Sequence, residues 1–307
     1  MTDKPAFSVV IPSHNGGEII LECVNTLVRN ISAADQIIVV DNGSRDGSAS
    51  HLRRMFKDRI ELITFSRAKG FARACNIGAM HARCEYLIFM NQDLLINETT
   101  IPAARRAIVN HPDSVLGARL YEPEGRTLQH MGGLVLPNGL TEHVARGELD
   151  SSLPSTPVIR CDYVTGAFLL VPRRLFDDLG GFDVRFSPAY FEETDFCFRA
   201  AVWDHASLVI PGITARHFEA QTSGTESLRY AFRYHRNRLR FVAKHFTFKS
   251  LVSMYLSYER AWWRSPLPRN ARRGAFLAYM LMMFELPRWI WQRMRVKPRY
   301  SPQEVTR

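Results

Sequence analysis

The 307-residue chain has neither a GxGxxG nor a GxxxxGK[ST] stretch, so two common glycine-rich phosphate cradles are missing and the sequence points away from NAD and ATP. Its five cysteines (Cys23, Cys75, Cys84, Cys161, Cys197) are odd in number and widely spaced, without a CxxC pair, which argues against a zinc or dithiol site. They are expected to be reduced thiols. The apolar run 275–284 has only 10 residues, against the roughly 20 a spanning helix needs. Met1 to Pro5 lack the pattern of a secretory leader, so a cytoplasmic protein is expected. Carboxylates are scarce toward the C-terminus: residues 226–307 hold 18 Lys and Arg against four Asp and Glu, a net +14, while residues 1–225 hold 22 against 26, a net −4. An acidic body (1–225) followed by a basic region (226–307) calls for a polyanionic partner, nucleic acid or anionic lipid.

What is present begins with near-continuous apolar runs at 7–12, 36–41, 61–65 and 85–90, the pattern of parallel strands covered on both faces. Between them, residues 18–29, 48–57 and 71–81 carry helix-period apolar positions. The expected fold class is therefore α/β, with an open, Rossmann-like, mostly parallel sheet. Ligands of such sheets sit beyond the carboxyl ends of the strands, which directs attention to Pro12, Ser13, His14 and Asn15, to Asp41 and Asn42, and to Asn91, Gln92 and Asp93.

Asp41 ends a strand and has the acceptors to take a pyrimidine N–H or a ribose hydroxyl, although Asn42-Gly43 and Ser48 would equally make a turn and a helix cap. Lys69, Gly70, Arg73 and Asn76 bring cations and a glycine to the start of the next helix, which suits a diphosphate. Asn91-Gln92-Asp93 offers one carboxylate and two amides, enough for Mg²⁺ or Mn²⁺ when substrate phosphates supply further ligands. No chemistry is assigned to residues 114–160, which read as hairpins or loop. Residues 163–171 read as a strand in which Gly166 permits close approach of a ligand. Then come Glu192, Glu193 and Asp195, three carboxylates within four positions beside aromatic residues. Crowding and lost solvation should raise at least one pKa toward the range of a general base; a helix start, with Asp195 four before Arg199, explains the same pattern without chemistry. A helix is expected over 194–203 and a strand over 207–210. By itself His217 reads as structural.

Four blocks jointly resemble a family 2 glycosyltransferase with the GT-A fold: Ser8 to Asn15, Ile38 to Ser48, Gly70 to Gly78, and Gly181 through Arg199. The branch they are most similar to is the bacterial rhamnosyltransferase-like one, whose members often use dTDP-L-rhamnose to build envelope glycans. The resemblance implies a nucleobase contact at Asp41, a divalent cation (Mg²⁺ or Mn²⁺) at Asp93 and His217, a sugar pocket lined by Gly166, and Glu193 as base, with Glu192 tuning it or meeting the acceptor. Two departures stand out: Asn91 replaces the first carboxylate of the Asp-x-Asp motif, and Glu replaces Asp as base. A nucleotide-sugar donor, dTDP-linked, and a glycan or lipid-linked acceptor are the implied partners. UDP- or GDP-hexose donors, or an inactive basic binding scaffold, are the alternatives.

Residues 226–307 also contain 16 of the 34 aromatics, in phrases such as Trp262-Trp263-Arg264. No nucleic-acid motif accompanies them, so nucleic acid is not expected. The run 275–284, flanked by Arg272, Arg273, Arg288, Trp289 and Trp291, suits a helix lying in an anionic membrane interface, at the inner face of the plasma membrane. Packing on the body, or on a twin subunit in a homo-oligomer, is the competing expectation.

Overall fold

A computed structural model describes residues 5–150, 157–218 and 227–295. Of these, the residues in 1–133, 143–188 and 192–219 form one compact unit and those in 134–142, 189–191 and 220–307 a second. The second unit thus draws in two short stretches from earlier in the chain, and the expected boundary at 225/226 lies outside the described residues.

The first unit opens with alternating strand and helix: β1 Phe7–Ser13, α1 Ile19–Asn30, β2 Gln36–Asp41, α2 Ser48–Phe56, β3 Glu61–Thr64, α3 Phe71–Met80 and β4 Tyr86–Met90. After them come β5 Leu94–Ile96, α4 Thr100–Asn110, β6 Val115–Tyr121, β7 Leu128–His130, the hairpin β8 Gly133–Val135 and β9 Thr141–His143, then β10 Ile159–Cys161 and β11 Phe168–Pro172. Next are α5 Arg173–Asp178, α6 Glu192–Val202 and β12 Ser207–His217. The main sheet runs β10-β12-β6-β11-β4-β1-β2-β3, with β5 on β12 and β7 on β6. Its β4-β1-β2-β3 half is parallel, while β11 enters antiparallel between β4 and β6.

The parallel half follows from its residues. β1 and β2 bury Val9, Val10, Ile11, Ile38, Val39 and Val40 on both faces, as β-branched runs do when helices cover each side. Ile20, Val24 and Leu27 of α1 and Leu52 and Phe56 of α2 join that core. Another cluster is aromatic: Phe89, Phe176, Phe182 and Phe196 lie with ring centroids 4.8 to 5.5 Å apart. α3 packs on β1 through Gly78, where any Cβ would fall 2.3 Å from Val10 Cγ1.

Three expectations need correction. Residues 114–160 contain β6, buried nearly along its length between β12 and β11, rather than hairpins or loop alone. The strand expected from 163 begins at Phe168; Gly166 sits in the turn before it. Thr214–His217, expected as a polar terminus beyond a strand ending at 210, instead continue β12 past an irregularity between Ile210 and Thr214.

The second unit is helical: α7 Leu228–His245, α8 Phe248–Ser250 running through a π-helical turn at Leu251–Tyr255 into α9 Leu256–Arg264, and α10 Arg269–Arg295. Ser227 caps α7, accepting from Tyr230 N–H at 3.1 Å. α10 approaches α7 at Gly274, whose Cβ would lie 2.6 Å from Ala231 Cβ. Two of the unit's arginines are spent internally. Arg238, fully buried, makes a bidentate pair with Glu259 at 2.8 and 2.9 Å, while Asn138 and Tyr279 donate to the same carboxylate at 3.1 and 2.6 Å. Arg240 pairs with Glu285, which also accepts from Trp289 Nε1 at 3.2 Å. Trp289 is therefore buried by its own helical unit and is no interfacial anchor, contrary to the sequence expectation. The run 275–284 is likewise two-faced: Ala275 and Ala278 are buried, whereas Phe276, Leu277, Met280, Met283 and Phe284 are exposed.

Candidate active site

The strand ends meet by register. Ser13 pairs with Asp41, and Asp41 with Thr64, so the ends of β1, β2 and β3 stand side by side. Asp41 Oδ1 accepts from Ser44 N–H at 3.2 Å. Asn42 Oδ1 accepts from Lys69 N–H at 2.7 Å, tying the loop after β2 to the start of α3. Asn15 takes a left-handed φ of +48°, which asparagine tolerates, and accepts from Arg45 N–H at 2.9 Å while its own N–H donates to Ser44 Oγ at 2.8 Å. Pro12 lies one position before Ser13 on β1.

Two predicted donor residues are spent on the protein itself. Gln92 Oε1 accepts from Ser13 Oγ and His14 N–H at 2.9 and 2.8 Å, fastening the end of β1 to the end of β4. Asn76 makes a two-way bond with the backbone of Phe182, donating to its carbonyl at 2.8 Å and accepting from its N–H at 2.9 Å. These two hold the site's walls in place instead of offering their amides to a nucleotide. Lys69 and Arg73 remain exposed at the start of α3, with Lys69 Nζ 4.3 Å from the Phe65 ring centroid.

Asp93 and His217 are brought together by the pairing of β12 with β5, in which His217 sits opposite Leu94. His217 Nε2 is 3.3 Å from Asp93 Oδ1 and 3.2 Å from Asn91 Nδ2, and both Asp93 and His217 are 6% exposed. Sequence reading of His217 alone favoured a structural role; strand register puts it at the only carboxylate of the Asn91-Gln92-Asp93 turn. Among the described residues no group of three or more His, Cys, Asp and Glu is arranged to hold a metal. A carboxylate oxygen and an imidazole nitrogen 3.3 Å apart do fit a hard divalent cation that draws its other ligands from phosphates and water.

Glu192 and Glu193 open α6, directly after Tyr190 and Phe191, whose φ values of +83° and +74° are unusual for bulky residues and cost on the order of 1–3 kcal/mol each. Burial pushes the Glu193 carboxyl up to about 7, against hydrogen bonds from its own N–H and that of Gly166, which act the other way. Of the two expected causes, lost solvation is the one that raises it, and crowding with other carboxylates is not. Asp195 is neutralised by Arg199 at 2.8 Å, and the same guanidinium donates to the carbonyls of Leu179 and Gly181 at 2.7 Å each. Asp195 is thus structural, and Gly166 donates to Glu193, whose Cβ a side chain at 166 would meet at 3.7 Å.

Gln129 and Glu122 escaped sequence reading. Gln129 Oε1 is 2.5 Å from His217 Nδ1, and its Nε2 donates to Glu122 Oε2 at 3.2 Å. A lone glutamine on a three-residue strand carries no motif, so only the fold reveals it.

The mixed sheet with antiparallel β11 set between β4 and β6, and acidic and amide groups at the ends of β1, β2 and β4, define the GT-A class of nucleotide-sugar transferase folds. The chain belongs to Glycosyl transferase family 2, whose family model matches residues 8–166, just over half of the sequence. It is 23% identical over 272 residues to N-acetylglucosaminyl-diphospho-decaprenol L-rhamnosyltransferase of Mycobacterium tuberculosis, covering 80% of this chain and 83% of that one. It is 24% identical to an uncharacterized protein of Sinorhizobium fredii, covering 74% of this chain but only 26% of the relative, so it spans about a quarter of that protein's length. Among solved structures, GalNAc-T7 with UDP, GalNAc and Mn²⁺ superposes with a TM-score of 0.66 at 14% identity, covering 94% of this chain and 58% of that one.

Proposed function

We propose that the protein is an inverting glycosyltransferase that moves L-rhamnose from dTDP-L-rhamnose to a cell-envelope polysaccharide or lipid-linked glycan. The observation that carries this reading is Glu193: a carboxyl whose pKa of about 7 suits a base at neutral pH, in the same unit as the ends of β1, β2 and β4. Glu193 takes the proton from the acceptor hydroxyl as that oxygen attacks the anomeric carbon; the bond to the diphosphate breaks on the opposite face, and the configuration inverts. Asp41 receives the nucleobase or ribose, and Lys69 and Arg73 face the departing diphosphate. Asp93 and His217 would hold a divalent cation, which when bound supplies positive charge where the leaving group becomes negative. The relative of similar length from Mycobacterium tuberculosis supports the rhamnosyl donor. GalNAc-T7 with UDP keeps a UDP-sugar as a second reading.

Calorimetric titration with dTDP, UDP and GDP in Mn²⁺ tests the donor. Tightest binding is expected for dTDP; preference for UDP or GDP would move the assignment to the corresponding hexose, and no binding of any would leave the inactive-scaffold alternative.

The partner proposed for the helical unit is an anionic membrane surface at the inner face of the plasma membrane. Phe276, Leu277, Met280, Met283 and Phe284 recur at the spacing of one helical face, exposed by 42% or more, with exposed Arg272, Arg273 and Arg288 on the same helix. Among the described residues no helix is long and apolar enough to cross a membrane. The full chain is expected to float with phosphatidylglycerol vesicles and not with phosphatidylcholine ones, and the triple variant Phe276→Ser/Met283→Ser/Phe284→Ser to stay in solution. Equal flotation of both proteins, or a wild-type dimer that the variant splits, would overturn this in favour of another surface or a twin subunit.

A further inference from the structure

We infer that Glu122 and Gln129 act as positioning residues that fix His217 in the Nδ1–H tautomer and so aim its Nε2 lone pair at Asn91 and Asp93. This deepens the reading of Asp93 and His217 as cation ligands and rests on it for its functional meaning. Both residues belong to the hairpin formed by β6 and β7. Glu122 directly follows β6, its N–H donating to Thr127 O at 2.9 Å across the turn, and Gln129 is central in β7. A carboxylate offers only acceptors, so the Gln129 group 3.2 Å from Glu122 Oε2 must be its NH₂. That NH₂ also lies 3.3 Å from the carbonyl oxygen of His217, again an acceptor. Turning the amide over would set its oxygen against both and forfeit two hydrogen bonds, in a side chain only 2% exposed.

With the amide so held, its Oε1 faces His217 Nδ1 at 2.5 Å. An amide oxygen can only accept, so Nδ1 carries the proton. In the neutral ring Nε2 then carries a single lone pair and can only accept: Asn91 Nδ2 stands 3.2 Å from it as a donor, and Asp93 Oδ1, itself only an acceptor, stands 3.3 Å away. The ring lone pair and the carboxylate oxygen repel each other, and a cation drawn between them would turn that repulsion into shared ligation. Outer partners of this kind hold ligating imidazoles in one tautomer and one orientation.

The tautomer is read without any metal. In ¹⁵N-labelled wild type, long-range ¹H–¹⁵N correlation should show His217 protonated at Nδ1, its signal identified by its loss in His217→Gln. Gln129→Leu should abolish that preference and weaken Mn²⁺ binding in the presence of nucleoside diphosphate by about 10- to 100-fold, followed by the electron paramagnetic resonance of free Mn²⁺. Glu122→Gln, at a partly exposed position, keeps the fold and should let both tautomers appear. An Nδ1–H pattern in wild type that disappears in the variants supports the inference. Nε2–H in wild type, or an unchanged pattern in both variants, overturns it. Failure of the wild type to bind Mn²⁺ would instead count against the cation reading, which the metal-free spectra do not use.

Discussion

Glu193→Gln is expected to lower sugar transfer by about 10²- to 10⁴-fold, the usual range for losing a positioned general base, while nucleotide binding changes little. Gln keeps the size and hydrogen-bonding reach of Glu and lacks only the ability to take the acceptor proton. The pH profile carries a separate signature. Burial raises the Glu193 pKa to about 7, so below that pH the group is protonated and cannot act as base. Wild-type turnover should therefore climb as pH rises through about 7 and then level off, and the residual rate of the variant should lack that climb. Stability should move the other way. A carboxyl whose folded pKa lies above its unfolded value costs stability once ionised, so from about pH 7 upward thermal melting should find Glu193→Gln at least as stable as wild type. A variant that loses both transfer and folded stability at pH 8 would make Glu193 a structural residue.

The second large effect is on the helical unit. Arg238→Met is expected to destabilise it by about 3–5 kcal/mol, because Glu259 would keep its burial and lose its bidentate partner. The pair cannot be weighed as a surface ion pair: Arg238 is wholly enclosed and Glu259 6% exposed. The double variant Arg238→Met/Glu259→Leu should recover part of the loss, since the orphaned charge is gone; recovery stays partial because Asn138 Nδ2 and Tyr279 O–H lose their acceptor. Hydrogen-exchange protection across α7, α9 and α10 is the measurement of choice, as it reads this unit separately from the sheet. A single variant costing less than about 1 kcal/mol, the scale of an exposed pair, would mean that water reaches Glu259.

Where the sequence was readable, short-range physics sufficed. Runs such as Val9-Val10-Ile11 and Ile38-Val39-Val40 are buried on both faces and announce themselves, so β1 to β4 lie within a residue or so of their expected bounds. Asp41 and Asp93 could be singled out for the same reason, each closing or following an obvious strand. β6 was hidden because Gly117 and Arg119 interrupt its pattern, and it is buried by β12 and β11, which join it from far along the chain. Residues that act through such long-range pairing are not legible from local pattern: His217, named only through the family resemblance, reaches Asp93 through the β12–β5 register, and Gln129, not named at all, reaches His217 through the β6–β7 hairpin. The acidic segment shows a subtler limit. Three carboxylates in four positions suggested mutual repulsion, yet Asp195 belongs to Arg199, and the burial that raises Glu193 is a property of the folded turn beside Gly166. The basic tail shows the same limit, since counting arginines cannot reveal that Arg238 and Arg240 face Glu259 and Glu285.

Release of nucleoside diphosphate from dTDP-L-rhamnose by the full chain in Mn²⁺, with envelope glycan as acceptor, puts the central claim to its most direct test. Acceptor-dependent release by wild type and its loss in Glu193→Gln are the predicted result. Equal release by both proteins, or no release by wild type from any dTDP-, UDP- or GDP-sugar, would contradict it.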